Sequence, residues 1–214
     1  MIYLKYIKKR KITSILRIII CLILVFAAIL GIILPHSFKN SRIDVENIIM
    51  PSYVEKDLIP KGLAYSRNGL SLDKVNNIVI HYVGNPNTTA KQNRNYFANI
   101  GTRVNSHFIV GLNGEVVQCV PLSERSSASN HRNKDTISIE VCHPDTSGKF
   151  NDATLNSLKE LTAWLCKTFY LTEKDIIRHY DITGKNCPLY FVEHENEWNL
   201  FKKDVGKIIN SNKS

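Results

Sequence analysis

The sequence predicts a single α/β domain over residues 73–214, with a mixed central β-sheet and helices packed on it. Short apolar or alternating segments, which are typical of strands, interleave with longer segments whose apolar residues recur at helical spacing. No internal repeat is visible, and the interleaving favours one core shared by all elements. The 214 residues are enough for one such domain and an additional segment.

The additional segment is N-terminal, and its composition predicts a transmembrane helix before the domain. Residues 1–17 contain six of the 28 basic residues and no acidic residue. Residues 18–34 follow as 17 uncharged residues, IIICLILVFAAILGIIL, which is near the shortest length that crosses a bilayer. Basic residues before this run predict a cytoplasmic segment over 1–17, a single-pass anchor over 18–34 in the cell membrane, and an extracytoplasmic C-terminal domain.

Two other interpretations of residues 18–34 have different consequences. A buried core helix is the first alternative, but uniform apolarity together with Gly31 and the terminal Pro35 fits it poorly. A cleaved signal peptide would release a secreted protein, and the small residues Ala27 and Ala28 are compatible with it. Because no A-x-A cleavage site follows the run, we favour an uncleaved anchor.

The formal net charge of +9 arises mainly near the N-terminus. Without the six basic residues of residues 1–17, the chain has 22 basic and 19 acidic residues. The domain itself is therefore only mildly basic, and a nucleic-acid partner is not predicted.

The five cysteines do not predict a disulfide framework. An exported protein could pair four of them. The domain is large enough to fold without such links, however, and the spacings form no compact pattern. We assign Cys119 and Cys142 to strands and Cys166 to a helix core, whereas Cys187 is a candidate metal ligand.

The first elements follow a polar segment. Residues 35–72 contain three prolines and no sustained period, which predicts a linker or stalk. Asn77–Val83, NIVIHYV, is rich in β-branched residues and predicts a buried central strand. Thr88 or Thr89 can cap a helix that ends with Gly101 at its C′ position.

A hairpin and four further elements complete the predicted domain. Two strands flank Asn113-Gly114, the dipeptide preferred in a type I′ turn. The elements after the hairpin are an alternating strand over Thr136–Cys142, a helix that begins at Asn151 or Asp152, a short strand over Ile176–His179, and a final helix from about Glu193.

His81, His179 and Cys187 are candidate metal ligands. A lone histidine within a strand such as His81 is usually a core residue with satisfied hydrogen bonds. In RHYDITGKNCP, however, a loop that contains Gly184 can return Cys187 to the histidine that ends the preceding strand. Two histidines and one thiolate meet the usual rule for a catalytic zinc site, which has three protein ligands and one open position.

Four segments, in chain order, resemble the successive motifs of the type-2 N-acetylmuramoyl-L-alanine amidase family, whose fold peptidoglycan recognition proteins share. They are IVIHYVGNP, VNSHFIVGLNGEVVQCVPL, DTISIEVCHP and RHYDITGKNCP. The resemblance extends from about Asn76 to about Gly206. It implies hydrolysis of the amide between N-acetylmuramic acid and L-alanine in peptidoglycan.

The resemblance also implies the site residues. One Zn²⁺ per chain would be held by His81, His179 and Cys187, and it would activate water and polarise the scissile carbonyl. Glu140 would transfer the proton from the water to the leaving amine. Lys185 would neutralise the oxyanion of the tetrahedral intermediate.

The sequence departs from the family pattern in two places. One branch has a tyrosine directly before the position of His107, where this chain has Ser106. Many members read A-W-H-A-G where this chain has SSASN over residues 126–130, so the tryptophan and the histidine are absent. We therefore assign substrate contacts to His107, Asn130 and His131.

A non-catalytic peptidoglycan-binding module of the same fold is the alternative function. Loss of a metal ligand would favour that alternative, but all the candidate ligands are present. The predicted partners are peptidoglycan and, through the N-terminal helix, the cytoplasmic membrane. A monomer is expected.

Overall fold

The computed structural model describes residue 22, residues 45–62 and residues 67–211. The predicted cytoplasmic segment and, apart from Leu22, the predicted anchor lie outside these ranges. Among the residues described, no helix combines the length and the apolar character needed to cross a membrane.

The centre of the domain is a six-stranded mixed sheet, as the sequence predicts. The strands are β1 (Val54–Lys56), β2 (Asn77–Ile80), β3 (Phe108–Val110), β4 (Val116–Gln118), β5 (Thr136–Val141) and β6 (Ile176–Arg178). Their order across the sheet is β1-β4-β3-β5-β2-β6. The hairpin of β3 and β4 is antiparallel, and all other neighbouring strands are parallel.

Helices follow or connect these strands. They are α1 (Ala90–Phe97), α2 (Asp152–Thr168), α3 (Tyr180–Thr183), α4 (Leu189–Glu193) and α5 (Glu195–Asn210). Thr89 begins α1 with a capping box, and the Asn151 side chain accepts from the Thr154 N–H at the start of α2, which satisfies backbone donors that have no partner within the helix. The cap predictions are confirmed, although α1 ends at Phe97, before the expected Gly101 position.

Both faces of the sheet are buried, but they meet different layers. Ile78 and Ile80 of β2 pack in the larger apolar cluster with Leu161 of α2 and Phe201 of α5. The opposite face carries a smaller cluster that includes Phe97 of α1. Because successive side chains of a strand point to opposite faces, the residues between the core isoleucines of β2 and β5 lie on the α1 side. The candidate site is on that side.

Residues 54–59 are part of the domain, although the sequence assigns them to the linker over residues 35–72. Strand β1 pairs in parallel with β4 at the edge of the sheet, and the Ile59 side chain is fully buried. The Arg94 guanidinium of α1 donates to the backbone oxygens of Asp57 and Leu58. A three-residue edge strand is too short to show an alternating pattern in the sequence, and it is held by backbone and long-range contacts. The sequence therefore wrongly assigned these residues to the linker.

The hairpin is confirmed, but its turn type differs from the prediction. The Gly114 N–H donates to the Gly111 carbonyl, and Gly114 has φ +81°. A type I′ turn requires positive φ at both central residues, and Asn113 is not among the residues with positive φ. The loop instead corresponds to a type I turn followed by a left-handed glycine, a common alternative that the Asn-Gly dipeptide does not exclude.

The packing of α2 on the sheet gives a test of the fold. Replacing the fully buried Leu161 with Ala should lower the free energy of unfolding by about 2–5 kcal/mol, because it leaves a cavity between α2 and the sheet. Urea denaturation of the full chain in detergent would measure the change. The exposed Asn156→Ala on the same helix is the control and should change the free energy by less than about 0.5 kcal/mol. Equal effects of the two substitutions would contradict this packing.

Candidate metal centre and active site

Strand order places three functional side chains in one row. Strand β2 lies between β5 and β6 and is parallel to both, with Ile80 paired to Ile139 and to Arg178. The next residues along the three strands are His81, Glu140 and His179. The His81 N–H donates to the Ile139 carbonyl at 2.9 Å and the His179 N–H donates to the Ile80 carbonyl at 3.2 Å, so the pairing continues past the end of β2.

This register corrects the predicted position of His81. The sequence places His81 within a strand over Asn77–Val83, but β2 ends at Ile80. His81 is therefore the first residue after the carboxyl end of a central parallel strand, where side chains from neighbouring strands meet. The His81 and His179 rings lie with their centroids 4.7 Å apart.

The loop after α3 brings Cys187 to the two histidines. Gly184 ends α3 with φ +75°, a left-handed conformation that suits glycine. The Tyr180 N–H then donates to the Cys187 carbonyl at 2.9 Å, which folds the loop back. The Cys187 Sγ lies 3.8 Å from His81 Nδ1, and one ligand atom from each of His81, His179 and Cys187 lies within 4.8 Å of the others.

The donor set and its protonation fit a metal ion. Burial lowers the pKa of His81 well below its usual value, and burial followed by the charge of Lys185 lowers the pKa of His179. Both imidazoles are thus neutral at pH 7, as metal ligands must be. Burial raises the pKa of the Cys187 thiol to about 12, so the thiol would release its proton when a metal binds. The structure therefore brings together the three candidate ligands, and these residues could hold a metal ion.

Glu140 presents a buried carboxyl group to this cluster. Its Oε1 lies 4.0 Å from His81 Nδ1, and within the described part of the chain its buried Oε2 has no hydrogen-bond partner. Burial raises the pKa of Glu140 to about 8, although the Lys185 charge opposes the change. A carboxyl oxygen that is buried without a partner is costly. Such a group at the end of a strand indicates a functional role.

The cluster opens into a cavity of about 710 Å³. Its walls include the three candidate ligands and Glu140, together with the exposed Lys185. Asn130, which the sequence assigns to substrate binding, also lines it. Further polar or aromatic residues of the walls, which sequence reasoning did not assign to the site, are Tyr82, Asn93, Tyr96, Phe97, Arg103, Ser127, Asn133 and Thr183. Several come from α1, whose amphipathic pattern gives no sign of a binding role.

The structure contradicts a substrate contact for His107. This side chain is fully buried, its Nδ1 accepts from the Ser138 N–H at 3.0 Å, and its Nε2 lies 2.9 Å from the Glu124 carbonyl oxygen. Burial lowers its pKa to about 4, so the ring is neutral. His107 therefore links β5 to the Glu124 loop. His131, the other histidine in this group, is exposed and does not line the cavity.

The loop over residues 126–130 contacts both candidate histidine ligands. Ser129 Oγ lies 3.3 Å from His81 Nε2, and Asn130 Oδ1 lies 2.8 Å from His179 Nε2. Sequence reasoning missed Ser129 and assigned Asn130 to the substrate. The only sequence signal is that polar residues replace the Ala-Gly that ends the family motif at these positions.

Comparison with known proteins defines the family to which this fold and site belong. Residues 71–189, more than half of the chain, match the family model described as N-acetylmuramoyl-L-alanine amidase. The chain belongs to this family, so the resemblance noted from its motifs is confirmed. The matched range contains the candidate ligands and both candidate catalytic residues.

Individual relatives agree with this assignment. The chain is 33% identical over 162 residues to N-acetylmuramoyl-L-alanine amidase BlyA of Bacillus subtilis (strain 168), a match that covers 66% of this chain and 44% of BlyA. It is 30% identical over 163 residues to a probable N-acetylmuramoyl-L-alanine amidase of Bacillus licheniformis, covering 68% of this chain and 45% of the relative. The chain thus spans less than half the length of these curated relatives.

Among solved structures, the catalytic domain of XlyA is similar, with a TM-score of 0.63 and 25% sequence identity. The alignment covers 72% of this chain and 99% of that domain. The mixed α/β architecture is therefore that of a type-2 amidase catalytic domain.

The metal centre gives a second test. The full chain, purified in detergent and supplied with zinc, should retain about one zinc ion per chain, as expected for a site with three protein ligands. His81→Ala, His179→Ala and Cys187→Ala should each remove most of this metal in elemental analysis. His131→Ala is the matched control, because it removes an exposed histidine outside the cavity, and it should retain the metal. A folded parent protein that binds no zinc would contradict the site.

Proposed function

We propose that this chain is a zinc-dependent peptidoglycan hydrolase that cleaves the amide between N-acetylmuramic acid and the L-alanine of the stem peptide. The observation that carries the proposal is the cluster of His81, His179 and Cys187 beside the buried carboxyl group of Glu140. The names of the relatives support the substrate class.

Each residue of the cavity has a chemical task in this reaction. A zinc ion held by His81, His179 and Cys187 would supply a Lewis acid and lower the pKa of water. Glu140 takes a proton from the attacking water and returns it to the leaving amine. A pKa raised by burial suits a group that must accept a proton and then release it near neutral pH.

Lys185 acts on the other side of the scissile bond. Its side chain is exposed on the wall of the same cavity, two residues before Cys187. An ammonium group there can neutralise the negative charge that develops on the carbonyl oxygen, which is the role of an oxyanion donor. Glu140 is the base beside the metal cluster, and Lys185 neutralises the carbonyl oxygen. The two residues therefore have separate roles.

We further propose that the enzyme works outside the cell, held by residues 18–34 in the membrane. The apolar run and the preceding basic residues support this topology. The substrate also lies outside the membrane, so the anchor would keep the domain near newly made wall.

Substitutions of Glu140 and Lys185 test the catalytic proposal. Glu140→Gln should lower the release of L-alanine amino termini from purified wall by about 10²–10⁴-fold, because the general base is lost. Lys185→Ala should lower it by about 10²–10³-fold, because an oxyanion donor is lost. Both variants should retain zinc and wall binding. Reducing sugar ends should not increase with any variant.

Exposed residues of α2 and its flanking turn supply the controls for these substitutions. Glu160→Gln and Lys174→Ala remove the same types of charge outside the cavity and should keep parental activity. A parent that binds wall and zinc but releases no amino termini would establish the non-catalytic binding module instead. Near-parental turnover of Glu140→Gln would show that another group is the base.

The topology has its own test. A reporter that is active only outside the cytoplasmic membrane, fused after Ser214, should be active and should fractionate with membranes. Replacing residues 18–34 by a cleavable signal peptide gives the control, which should be active but soluble. If the parent chain is instead recovered soluble and shortened, beginning near Pro35, residues 18–34 belong to a cleaved signal peptide.

A further inference from the structure

Two adjacent residues, Ser129 and Asn130, contact the Nε2 atoms of the two candidate histidine ligands. Ser129 Oγ lies 3.3 Å from His81 Nε2, and Asn130 Oδ1 lies 2.8 Å from His179 Nε2. The other nitrogen of His81, Nδ1, faces Cys187 Sγ at 3.8 Å and Glu140 Oε1 at 4.0 Å. One short loop therefore contacts both rings at once.

These contacts determine which nitrogen carries the proton. An amide oxygen only accepts hydrogen bonds, so His179 Nε2 must carry the hydrogen, and the lone pair is left on Nδ1. The Ser129 hydroxyl can accept from His81 Nε2 in the same way. A neutral imidazole that ligates a metal must present its unprotonated nitrogen. The Asn130 contact thus favours the Nδ1 lone pair of His179, and the Ser129 contact is compatible with the same tautomer of His81. Both contacts also restrain the orientation of the rings.

Hydrogen bonds within the chain hold the loop in place. Asn133 Oδ1 accepts from the backbone N–H groups of Ala128 at 3.1 Å and Ser129 at 2.6 Å. The Arg132 N–H donates to the Ser129 carbonyl at 2.9 Å, and the Arg132 guanidinium donates to Asn77 Oδ1 at the start of β2. Ser129 and Asn130 are therefore fixed relative to the strand that carries His81.

Burial separates the roles of the two residues. The Ser129 side chain is fully buried, so it cannot contact a substrate in the cavity. Asn130 is exposed on the cavity wall and has φ +53°, a left-handed conformation that asparagine tolerates better than most residues. The Asn130 amide can contact both His179 and a ligand in the cavity. Ser129 is therefore the clearer test of a positioning role, because its side chain does not reach the cavity.

We propose that Ser129 and Asn130 are positioning residues that pre-orient His81 and His179 for the metal. The inference rests on the metal centre of the proposed function and extends it to a pair of side chains at positions where many family members have Ala and Gly. Groups that accept a hydrogen bond from the second nitrogen of a histidine ligand typically contribute 10–100-fold to metal affinity.

Zinc affinity, measured on the full chain in detergent by competition with a chelator, tests the proposal. Ser129→Ala and Asn130→Gly should each weaken zinc binding by about 10-fold, and the double variant by up to about 100-fold. Asn130→Asp retains an acceptor and tolerates positive φ, so its affinity should remain within about threefold of the parent's. Glycine at position 130 is compatible with the backbone, so Asn130→Gly introduces no steric strain.

Two control variants make the same kinds of substitution at residues that do not contact the candidate histidine ligands. Asn87→Gly replaces another exposed asparagine with a left-handed φ of +58°. Ser106→Ala removes another fully buried hydroxyl, which donates to the Phe108 carbonyl at 2.7 Å. Within the part of the chain that the structure describes, neither residue contacts a candidate ligand, so both variants should keep parental zinc affinity even if they lower stability.

Thermal unfolding separates positioning from a general structural role. Because a ligand stabilises in proportion to the logarithm of its concentration over Kd, the rise in Tm on adding zinc should be smaller in the double variant than in the parent. A role in folding alone would lower the metal-free Tm and leave zinc affinity unchanged. A role in substrate binding alone would raise KM on wall with unchanged zinc affinity.

Either of those results would overturn the proposal, as would a double variant within twofold of the parental zinc affinity. If the double variant does not fold, equal zinc affinities of Asn130→Gly and Asn130→Asp would overturn the role of Asn130. Zinc affinity and Tm, the readouts that carry the proposal, do not depend on amide hydrolysis. A parent protein that binds zinc but does not cleave wall would therefore contradict the proposed enzyme activity without contradicting this inference.

Discussion

The parallel pairing of β2 with both β5 and β6 is the constraint on which the site depends. Register in a parallel sheet fixes which residues stand side by side where the strands end, and a shift of one residue would turn each side chain to the opposite face. Here the shared register puts His81 between Glu140 and His179, on the face covered by α1. The core isoleucines on the other face stabilise this register, because a slip of one residue would remove them from the larger apolar cluster. Apolar burial on one face thus sets the geometry of the polar row on the other.

This arrangement places several buried polar groups, whose desolvation opposes folding, at one end of the sheet. The neutral histidines, the protonated thiol and the carboxyl group of raised pKa are all consequences of burial. Unpaired buried polar groups oppose folding, so the rest of the domain must offset them. The contacts of the Arg178 side chain, one residue before His179, are an example of interactions that offset this cost. It donates to Asp181, Glu195 and the Phe191 carbonyl, and it lies over the Trp198 ring. The end of β6 is thereby held firmly next to His179.

Much of the fold and of the metal cluster could be predicted because the signals are local. Strands β2 and β5 have continuous or alternating apolar residues, Thr89 and Asn151 are typical caps, and the cysteine follows His179 by a short loop. What could not be predicted depends on distant contacts. Strand β1 needs β4, and the burial of His107 needs Ser138 and Glu124 from other segments. A histidine near a family motif looks functional in the sequence, and only its neighbours show that both ring nitrogens are already bonded.

The loop that ends in Cys187 joins metal binding to the electrostatics of the reaction. The Cys187 N–H donates to the Lys185 carbonyl at 2.7 Å, and the Tyr180 N–H holds the Cys187 carbonyl from the start of α3. The backbone of Lys185 is therefore set by the same turn that delivers the thiol. Because a thiolate in a metal site is held by the metal as well as by the chain, metal binding would restrict this turn and with it the origin of the lysine side chain. The proposed oxyanion donor and the proposed ligand are then not independent, because a single residue separates Lys185 from Cys187 within one turn.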